Sequence, residues 1–195
     1  MAAFAEIFSY LLQTALSLLL FLLLLHFLLQ LVRADFYNPI SQMLIKITHP
    51  VLRPVRLLTP RLWGIDTAAL LSLLLIQMAS IAVILVVNGQ SLPNVFLLLV
   101  WAILGIAALT VQFYFFAILA IIILSWIAPG TSHPAARLLY QLTAPVMAPF
   151  RGLLPPMGGL DLSPILMFIA INIVQIMLRH LAAGAGLHPA LIMGI

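Results

Sequence analysis

The chain has 195 residues, of which 65% are hydrophobic and only 6% are charged, and its mean hydropathy is +1.28. A soluble domain is about 45–50% apolar and about 25% charged, so this sequence lacks the polar residues to cover a soluble fold of its size. The absence of cysteine excludes disulfides, Cys-ligated zinc and thiol catalysis, and a net charge of +4 is too small and dispersed for a nucleic-acid binder. The composition therefore predicts a polytopic membrane protein.

Four apolar stretches are long enough to cross a bilayer, for which a helix needs about 20 residues. They run over about 7–32, about 67–87, within 93–127, and over about 164–183. The first stretch is longer than the apolar core of a signal peptide and follows no basic segment, so we expect it to remain as a helix. The sequence thus predicts an all-α membrane protein with four transmembrane helices in a single domain over residues 1–195.

The basic residues indicate which way these spans point. Seven of the eight lie in the first and third loops between spans, namely Arg33, Lys46, Arg53, Arg56, Arg61, Arg137 and Arg151. The loop between the second and third spans, residues 88–92, carries no charge. Because positively charged loops stay in the cytoplasm, we expect both termini to be extracytoplasmic.

The two halves of the chain repeat one another at an offset of 95 residues. Between 48–66 and 143–161, nine of 19 aligned positions are identical, among them three prolines, one glycine, one arginine and one aspartate. A fourth proline pair, Pro39 and Pro134, lies upstream at the same offset. Each repeat, about 1–92 and about 93–195, is a span, a loop and a span, which predicts parallel repeats about an axis along the membrane normal.

The loops inside the repeats are predicted to contain interfacial helices. Ser41–Ile47 mixes polar and apolar residues as such helices do, and residues 135–142 are similar. Thr48 and Thr143 each precede a proline by two residues, a spacing typical of a helix N-cap followed by a first-turn proline. The next proline in each loop forbids a long regular helix beyond it.

These Pro/Arg-rich loops allow two interpretations. Arg53, Arg56 and Arg151 could face lipid phosphates while the apolar residues between them face the membrane, which makes the loops a cytoplasmic platform for anionic lipid or a partner protein. The alternative is a pair of ordinary loops that only set the topology. Matching prolines favour the platform, because topology alone does not require them.

Two aspartates open the second span of each repeat. Asp66 and Asp161 each follow a glycine by two residues, Gly159 in the second repeat, and each precedes an apolar run. A carboxylate at this position caps a helix N-terminus. We expect capping, with an ion pair to Arg56 or Arg151 that fixes the returning chain; catalysis is disfavoured, because no base or nucleophile recurs beside either aspartate.

Polar residues inside the spans follow the same offset. Gln77 aligns with Asn172 and Ser80 with Gln175, so each even-numbered span carries a polar pair on one face. Such groups are costly against lipid, and we expect them to face the bundle interior. They either join helices by hydrogen bonds or line a path for a solute. Joining helices is favoured, because no Asp, Glu or Lys lies at mid-depth.

No residue pattern indicates an enzyme. His26 and His180 lie at opposite ends of their spans, so they cannot ligate one haem, and we expect His26 to be a hydrogen-bonded core residue. The chain contains no phosphate-binding glycine loop, catalytic-triad spacing or HExxH motif. We therefore expect no catalytic residue, cofactor or metal site.

With these residues assembled, nearly the whole chain resembles the YggT family of bacterial membrane proteins, also called YlmG and present in plastids. Asp35 and Asn38 stand in a complete Asp-Phe-Tyr-Asn-Pro motif. The second repeat has the family's prolines, glycines and charged residues at Pro145, Pro149, Arg151, Pro155, Gly158, Gly159, Asp161, Ser163 and Pro164. The first repeat departs from this pattern at Trp63 and at residues 67–69, and the second lacks Asp35 and Asn38, so we expect the halves to differ in role.

The resemblance implies a multi-pass protein of the bacterial inner (plasma) membrane without established enzymatic activity. Family members are linked to osmotic-stress tolerance and ion uptake, to cell division, and in plastids to nucleoid organisation and cytochrome b haem assembly. Our first hypothesis is a non-enzymatic scaffold or assembly factor with lipid, a membrane-protein partner or a second copy of itself as partners. Our second is a small ion or solute channel or transporter that uses the polar faces of Gln77/Asn172 and Ser80/Gln175.

Overall fold

The computed structural model describes residues 2–59, 66–153 and 161–187, with side chains from residue 7 onward. All regular structure in these ranges is helical, which confirms the all-α prediction. The helices are α1 (Ala2–Leu31), α2 (Pro39–Arg56), α3 (Thr67–Val87), α4 (Val95–Ile127), α5 (Pro134–Leu153) and α6 (Ser163–Gly184).

Four of these helices are long and apolar enough to cross a membrane, as the sequence predicts. They are α1 over Ile7–Leu31, α3, α4 and α6. The 33 residues of α4 correspond to about 50 Å of helix, more than the roughly 30 Å of a hydrocarbon core, so we expect α4 to tilt or to extend beyond it.

The four spans pack as neighbours in the order α1, α3, α4, α6, and α1 also contacts α4. Leucines of α1 and α3 such as Leu23 and Leu73 are fully buried in this contact. On α4 the buried residues Ala102, Gly105 and Ala108 are small and follow one another at helical spacing. Small residues let transmembrane helices approach closely, which is how α4 can lie at the centre of the bundle.

The remaining two helices, α2 and α5, are amphipathic and contact each other and the ends of the spans. α2 packs on α1 and α3, and α5 packs on α4 and α6. The buried face of α2 comprises Ser41, Leu44, Thr48 and Leu52 at helical spacing. α2 begins at Pro39 and α5 at Pro134, so their starts differ by the 95-residue offset of the sequence repeat.

The prediction that Thr48 and Thr143 cap helices is wrong. Both lie in mid-helix and are buried, and their hydroxyls donate to the carbonyls of Leu44 and Leu139 at 2.8 Å. The prolines that suggested the caps, Pro50 and Pro145, lie inside the two helices on their exposed faces. The prediction for the later proline is confirmed in the first repeat, since α2 ends at Arg56, two residues after Pro54. In the second repeat α5 continues past Pro149 to Leu153, the last described residue before 154–160.

Candidate functional site

A buried hydrogen-bond network joins α1 and α2 at the end of the bundle where α2 lies. His26 is 2% exposed, and its Nδ1 is 2.7 Å from the Thr48 hydroxyl. That hydroxyl has a single proton, which it donates to the Leu44 carbonyl, so it accepts a hydrogen bond from Nδ1–H. The Nε2 of His26 is then the acceptor for the Gln30 amide at 3.0 Å and the Arg56 guanidinium at 3.4 Å. His26 is therefore the hydrogen-bonded core residue that the sequence predicts.

The network continues into an ion pair at the start of α3. Arg56, the last residue of α2, pairs with Asp66, whose side chain is 5% exposed. The other oxygen of Asp66 accepts from the N–H groups of Ala68 and Ala69 at 3.1 and 3.2 Å, which confirms the predicted cap. Burial disfavours the ionised carboxylate, but the hydrogen bond and charge of Arg56, with a hydrogen bond from Gln30, hold the pKa of Asp66 below its usual value.

The second repeat contains the equivalent ion pair in a more open form. Arg151 Nε lies 3.4 Å from Asp161 Oδ2, and the two side chains are 52% and 48% exposed. Asp161 is not itself the N-cap that the sequence predicts, since the N-cap of α6 is Leu162; it stands one residue earlier and accepts from the Ser163 N–H at 2.9 Å. The hydrogen bond from Ser163 is the main reason that the pKa of Asp161 lies below its usual value, with a smaller contribution from Arg151.

Each ion pair lines a cleft, and the two clefts occupy equivalent positions in the two repeats. The first has a volume of about 510 Å³, and its lining includes His26, Gln30, Ile45, Arg56 and Asp66. The second has a volume of about 570 Å³, and its lining includes the five residues 95 positions later, namely Ile121, Ser125, Tyr140, Arg151 and Asp161. The repeat thus places two clefts with matching ion pairs and different walls at one end of the bundle.

Asp35 and Asn38, which have no counterpart in the second repeat, connect the two halves of the chain. The Asn38 side chain caps α2 by accepting from the Ile40 N–H, and its amide donates to the Pro134 carbonyl, both at 2.9 Å. The Asp35 N–H donates to the side-chain oxygen of Gln141 at 3.1 Å. The sequence indicated that these residues are special to the first repeat, but it gave no signal for Gln141 as a partner.

The exposed side of α2 carries positive charge. Lys46 and Arg53 lie there two helical turns apart, and Arg137 and Arg151 are exposed on α5. Arg53 therefore has the exposed position expected of a lipid-facing residue, whereas Arg56 points into the network described above. Gly159 lies outside the described residues.

The polar residues inside the spans have different surroundings in the two repeats. Gln77 and Ser80 are buried and line a cavity of about 20 Å³, room for about one water molecule, together with Gln13 and Ser17 of α1. Gln175 reaches Gln112 of α4 at 3.4 Å.

Asn172 does not face the interior, so its predicted orientation is wrong. It is exposed on α6, and its amide donates to the Phe168 carbonyl of the same helix at 2.8 Å. The reason is the position of α6 at the edge of the bundle: α6 packs on α4 and α5, whereas α3 packs on α1, α2 and α4.

The contacts of Gln30 and Thr48 with His26 were not predicted from the sequence. Thr48 is identical to Thr143, and that identity was the available signal, but the proline two residues later suggested a cap instead. Within residues 2–59, 66–153 and 161–187, no cluster of three or more His, Asp or Glu side chains could hold a metal ion.

Comparison with known proteins places this architecture in a family. The sequence model of the CCB3/YggT family matches residues 5–87 and again residues 100–182, two matches that start 95 residues apart. An uncharacterized protein of Pseudomonas aeruginosa is 44% identical over 180 residues, which are 91% of each chain. The uncharacterized protein YggT of Escherichia coli K12 is 32% identical over 189 residues, 96% of this chain and 98% of the relative.

A plant relative matches over a shorter stretch. The chloroplastic YlmG homolog protein 2 of Arabidopsis thaliana is 43% identical over 51 residues, 26% of this chain and 20% of the relative. No solved structure matches the chain. The double match of the family model and the near full-length bacterial relatives show that the chain belongs to the CCB3/YggT family.

Proposed function

We propose that this protein is a non-enzymatic scaffold of the bacterial inner membrane, in which α2 and α5 form a platform on the cytoplasmic leaflet for anionic lipid and a membrane-protein partner. The observation that carries the proposal is the pairing of the two amphipathic helices across one end of the four spans. Their apolar faces are buried against the spans, while Lys46, Arg53 and Arg137 are exposed.

The charge distribution supports this orientation of the platform. A basic residue beside an anionic leaflet contributes about 1 kcal/mol. Lys46, Arg53 and Arg137, together with Arg151 of the open ion pair, are the exposed basic residues of α2 and α5, and they lie at the end of the bundle that the positive-inside rule assigns to the cytoplasm. The buried Arg56–Asp66 pair then connects this platform to the start of α3, and the more open Arg151–Asp161 pair lies at the equivalent position before α6.

The test measures which lipids accompany the protein when it is extracted from bacterial membranes in polymer nanodiscs. A triple variant with Lys46→Gln, Arg53→Gln and Arg137→Gln is expected to reduce the co-extracted phosphatidylglycerol and cardiolipin severalfold relative to phosphatidylethanolamine. Arg179→Gln, an exposed basic residue near the other end of α6, is the matched control and should leave the ratio unchanged. An unchanged ratio in the triple variant, or an equal loss in the control, would contradict the proposal.

A second candidate function, a small channel, rests on the polar residues between α1 and α3. Gln13 lines both the cavity around Gln77 and a second cavity of about 80 Å³ that reaches Asn88 at the end of α3. These polar groups extend from one end of α3 to about its middle. The buried residues Leu20 and Leu73 follow toward the other end.

Ion flux in proteoliposomes tests the channel directly. If the polar groups line a path, Gln77→Leu should abolish a potassium or sodium flux, while Asn172→Leu, which lies on the outer surface of α6, should not change it. Absence of flux for either ion in the unmodified protein would eliminate this candidate and leave the scaffold.

A further inference from the structure

We propose that the cleft of the second repeat binds one phospholipid with a zwitterionic, primary-ammonium headgroup, such as phosphatidylethanolamine. The inference rests on the proposed function in one respect, namely that α5 lies at the lipid leaflet. It goes further by assigning a single bound lipid to a defined site, the cleft that Arg151 and Asp161 line.

The charges in this cleft match such a headgroup. Arg151 and Asp161 are 3.4 Å apart and about half exposed, so each retains free hydrogen-bonding capacity on its open side. A guanidinium has five donors, and the Nε–H toward Asp161 occupies one of them. A phosphate can accept from the remaining donors while an ammonium donates to the carboxylate. A purely anionic headgroup would be attracted by Arg151 and repelled by Asp161.

The remainder of the cleft is suited to an acyl chain. Its wall consists largely of apolar side chains, among them Ile118, Ile122, Met147 and Ile165. Trp126 and Ile165 are 79% and 56% exposed, so the cleft borders the surface that faces lipid. A volume of about 570 Å³ exceeds what single waters occupy and is within the range of small-molecule sites.

The equivalent cleft of the first repeat explains why only one of the two is proposed as a lipid site. There His26 and Gln30 replace Ile121 and Ser125, and the Nε2 of His26 accepts from both Gln30 and Arg56 within the protein. Asp66 is 5% exposed, compared with 48% for Asp161, so it offers no open carboxylate to an ammonium group. The two repeats thus use the same ion pair for different purposes: internal cohesion in the first and ligand binding in the second.

The test is native mass spectrometry of the full-length protein, titrated in detergent with phosphatidylethanolamine, phosphatidylcholine and phosphatidylglycerol of identical acyl chains. One phosphatidylethanolamine should be retained about tenfold more tightly than either of the other lipids, as expected for a charge-assisted hydrogen bond. Phosphatidylcholine has the same net charge but no N–H donor, so it separates ammonium recognition from charge matching.

Two variants link this preference to the cleft. Ser125→Gln introduces the counterpart of Gln30, and Ile121→His added to it introduces the counterpart of His26. Either the single or the double variant should lose the tight binding of phosphatidylethanolamine. Asp161→Asn leaves Arg151 as the charge of the pair and should shift the preference from phosphatidylethanolamine to phosphatidylglycerol. Arg137→Gln, on the same helix but outside the cleft lining, is the control and should retain the original preference.

Equal retention of the three lipids by the unmodified protein would overturn the proposal. So would an unchanged preference in both Ser125→Gln and Asp161→Asn, with circular dichroism showing that each variant keeps its helical content. The platform proposal is tested separately, because co-extraction of anionic lipid depends on Lys46, Arg53 and Arg137 and should not respond to Ser125→Gln.

Discussion

At the scale of single residues, the two ion pairs show how burial changes the contribution of the same interaction to stability. The side chains of Arg56 and Asp66 are 29% and 5% exposed. Arg56 also donates a hydrogen bond to His26, and Asp66 accepts hydrogen bonds from the first turn of α3. Arg151 and Asp161 are about half exposed. Exposed ion pairs contribute about 0–1 kcal/mol, whereas removal of one partner of a buried pair leaves an uncompensated charge.

We therefore predict that Asp66→Asn lowers the free energy of unfolding by about 2 kcal/mol at neutral pH, because it leaves Arg56 without its counter-ion. Asp161→Asn should lower it by less than about 1 kcal/mol. Unfolding of the purified protein in mixed micelles by dodecyl sulfate measures both values. Equal losses in the two variants would contradict the different burial of the two pairs.

The Arg56–Asp66 pair also predicts that the free energy of unfolding depends on pH. The pKa of Asp66 is lower in the folded than in the unfolded protein, so its contribution is complete above the unfolded value and is lost as the pH falls through the folded value. Stability of the unmodified protein should therefore decrease below about pH 4. In Asp66→Asn this decrease should be smaller, and an unchanged acid dependence would show that other carboxyl groups cause it.

At the scale of elements, α2 has two faces that the sequence only partly revealed. The polar and apolar mixture of residues 41–47 correctly predicted a helix, but Thr48 and Pro50 suggested that a helix N-terminus lies at this point. The helix nevertheless continues through Pro50 and Pro54, and both prolines lie on its exposed face. The helical spacing of apolar residues defines a buried face only within one continuous helix. The face of α2 therefore could not be assigned while the ends of the helix were unknown.

Replacement of leucine by alanine should affect stability very differently on the buried face of α2 and at its exposed C-terminal end. Leu52 is fully buried between α2 and the spans, so Leu52→Ala should cost about 2–5 kcal/mol. Leu57, the C-cap of α2, is 84% exposed, and Leu57→Ala should change the free energy of unfolding by less than about 0.5 kcal/mol. The same micellar unfolding assay decides, and a large loss at Leu57 would mean that this leucine is covered in the protein.

At the scale of the whole molecule, hydrogen bonds that cross between the repeats supplement the packing of apolar spans. The hydrophobic effect does not drive helices together inside lipid, so polar contacts and close packing carry much of the specificity there. Asn38 and Asp35 supply two such contacts to the second repeat, through Pro134 and Gln141. The Asn38 contact does not follow from the repeat, because His133 stands at the equivalent position, and the Asp35 contact uses a backbone N–H, so no side-chain type signals it.

A pair of asparagines separates this contribution from ordinary capping. Asn38 caps α2 and also bonds to Pro134, whereas Asn94 caps α4 through Leu97 N–H at 2.8 Å and is exposed. Asn94→Ala should lower the free energy of unfolding by about 1 kcal/mol, and Asn38→Ala by about 2 kcal/mol, because it also breaks the bond between the repeats. Similar losses at both positions would show that the contact with Pro134 adds nothing.

The sequence by itself determined the four spans, the 95-residue repeat, the helix-capping role of Asp66 and both ion pairs, because apolar length and local capping chemistry depend on neighbouring residues. Only the tertiary structure decided how the repeats differ. Gln77 is buried because α3 has helices around it, while Asn172 at the equivalent position is exposed because α6 lies at the edge. The contacts of His26 likewise depend on where α2 crosses α1, since burial and long-range hydrogen bonds are set by the arrangement of helices.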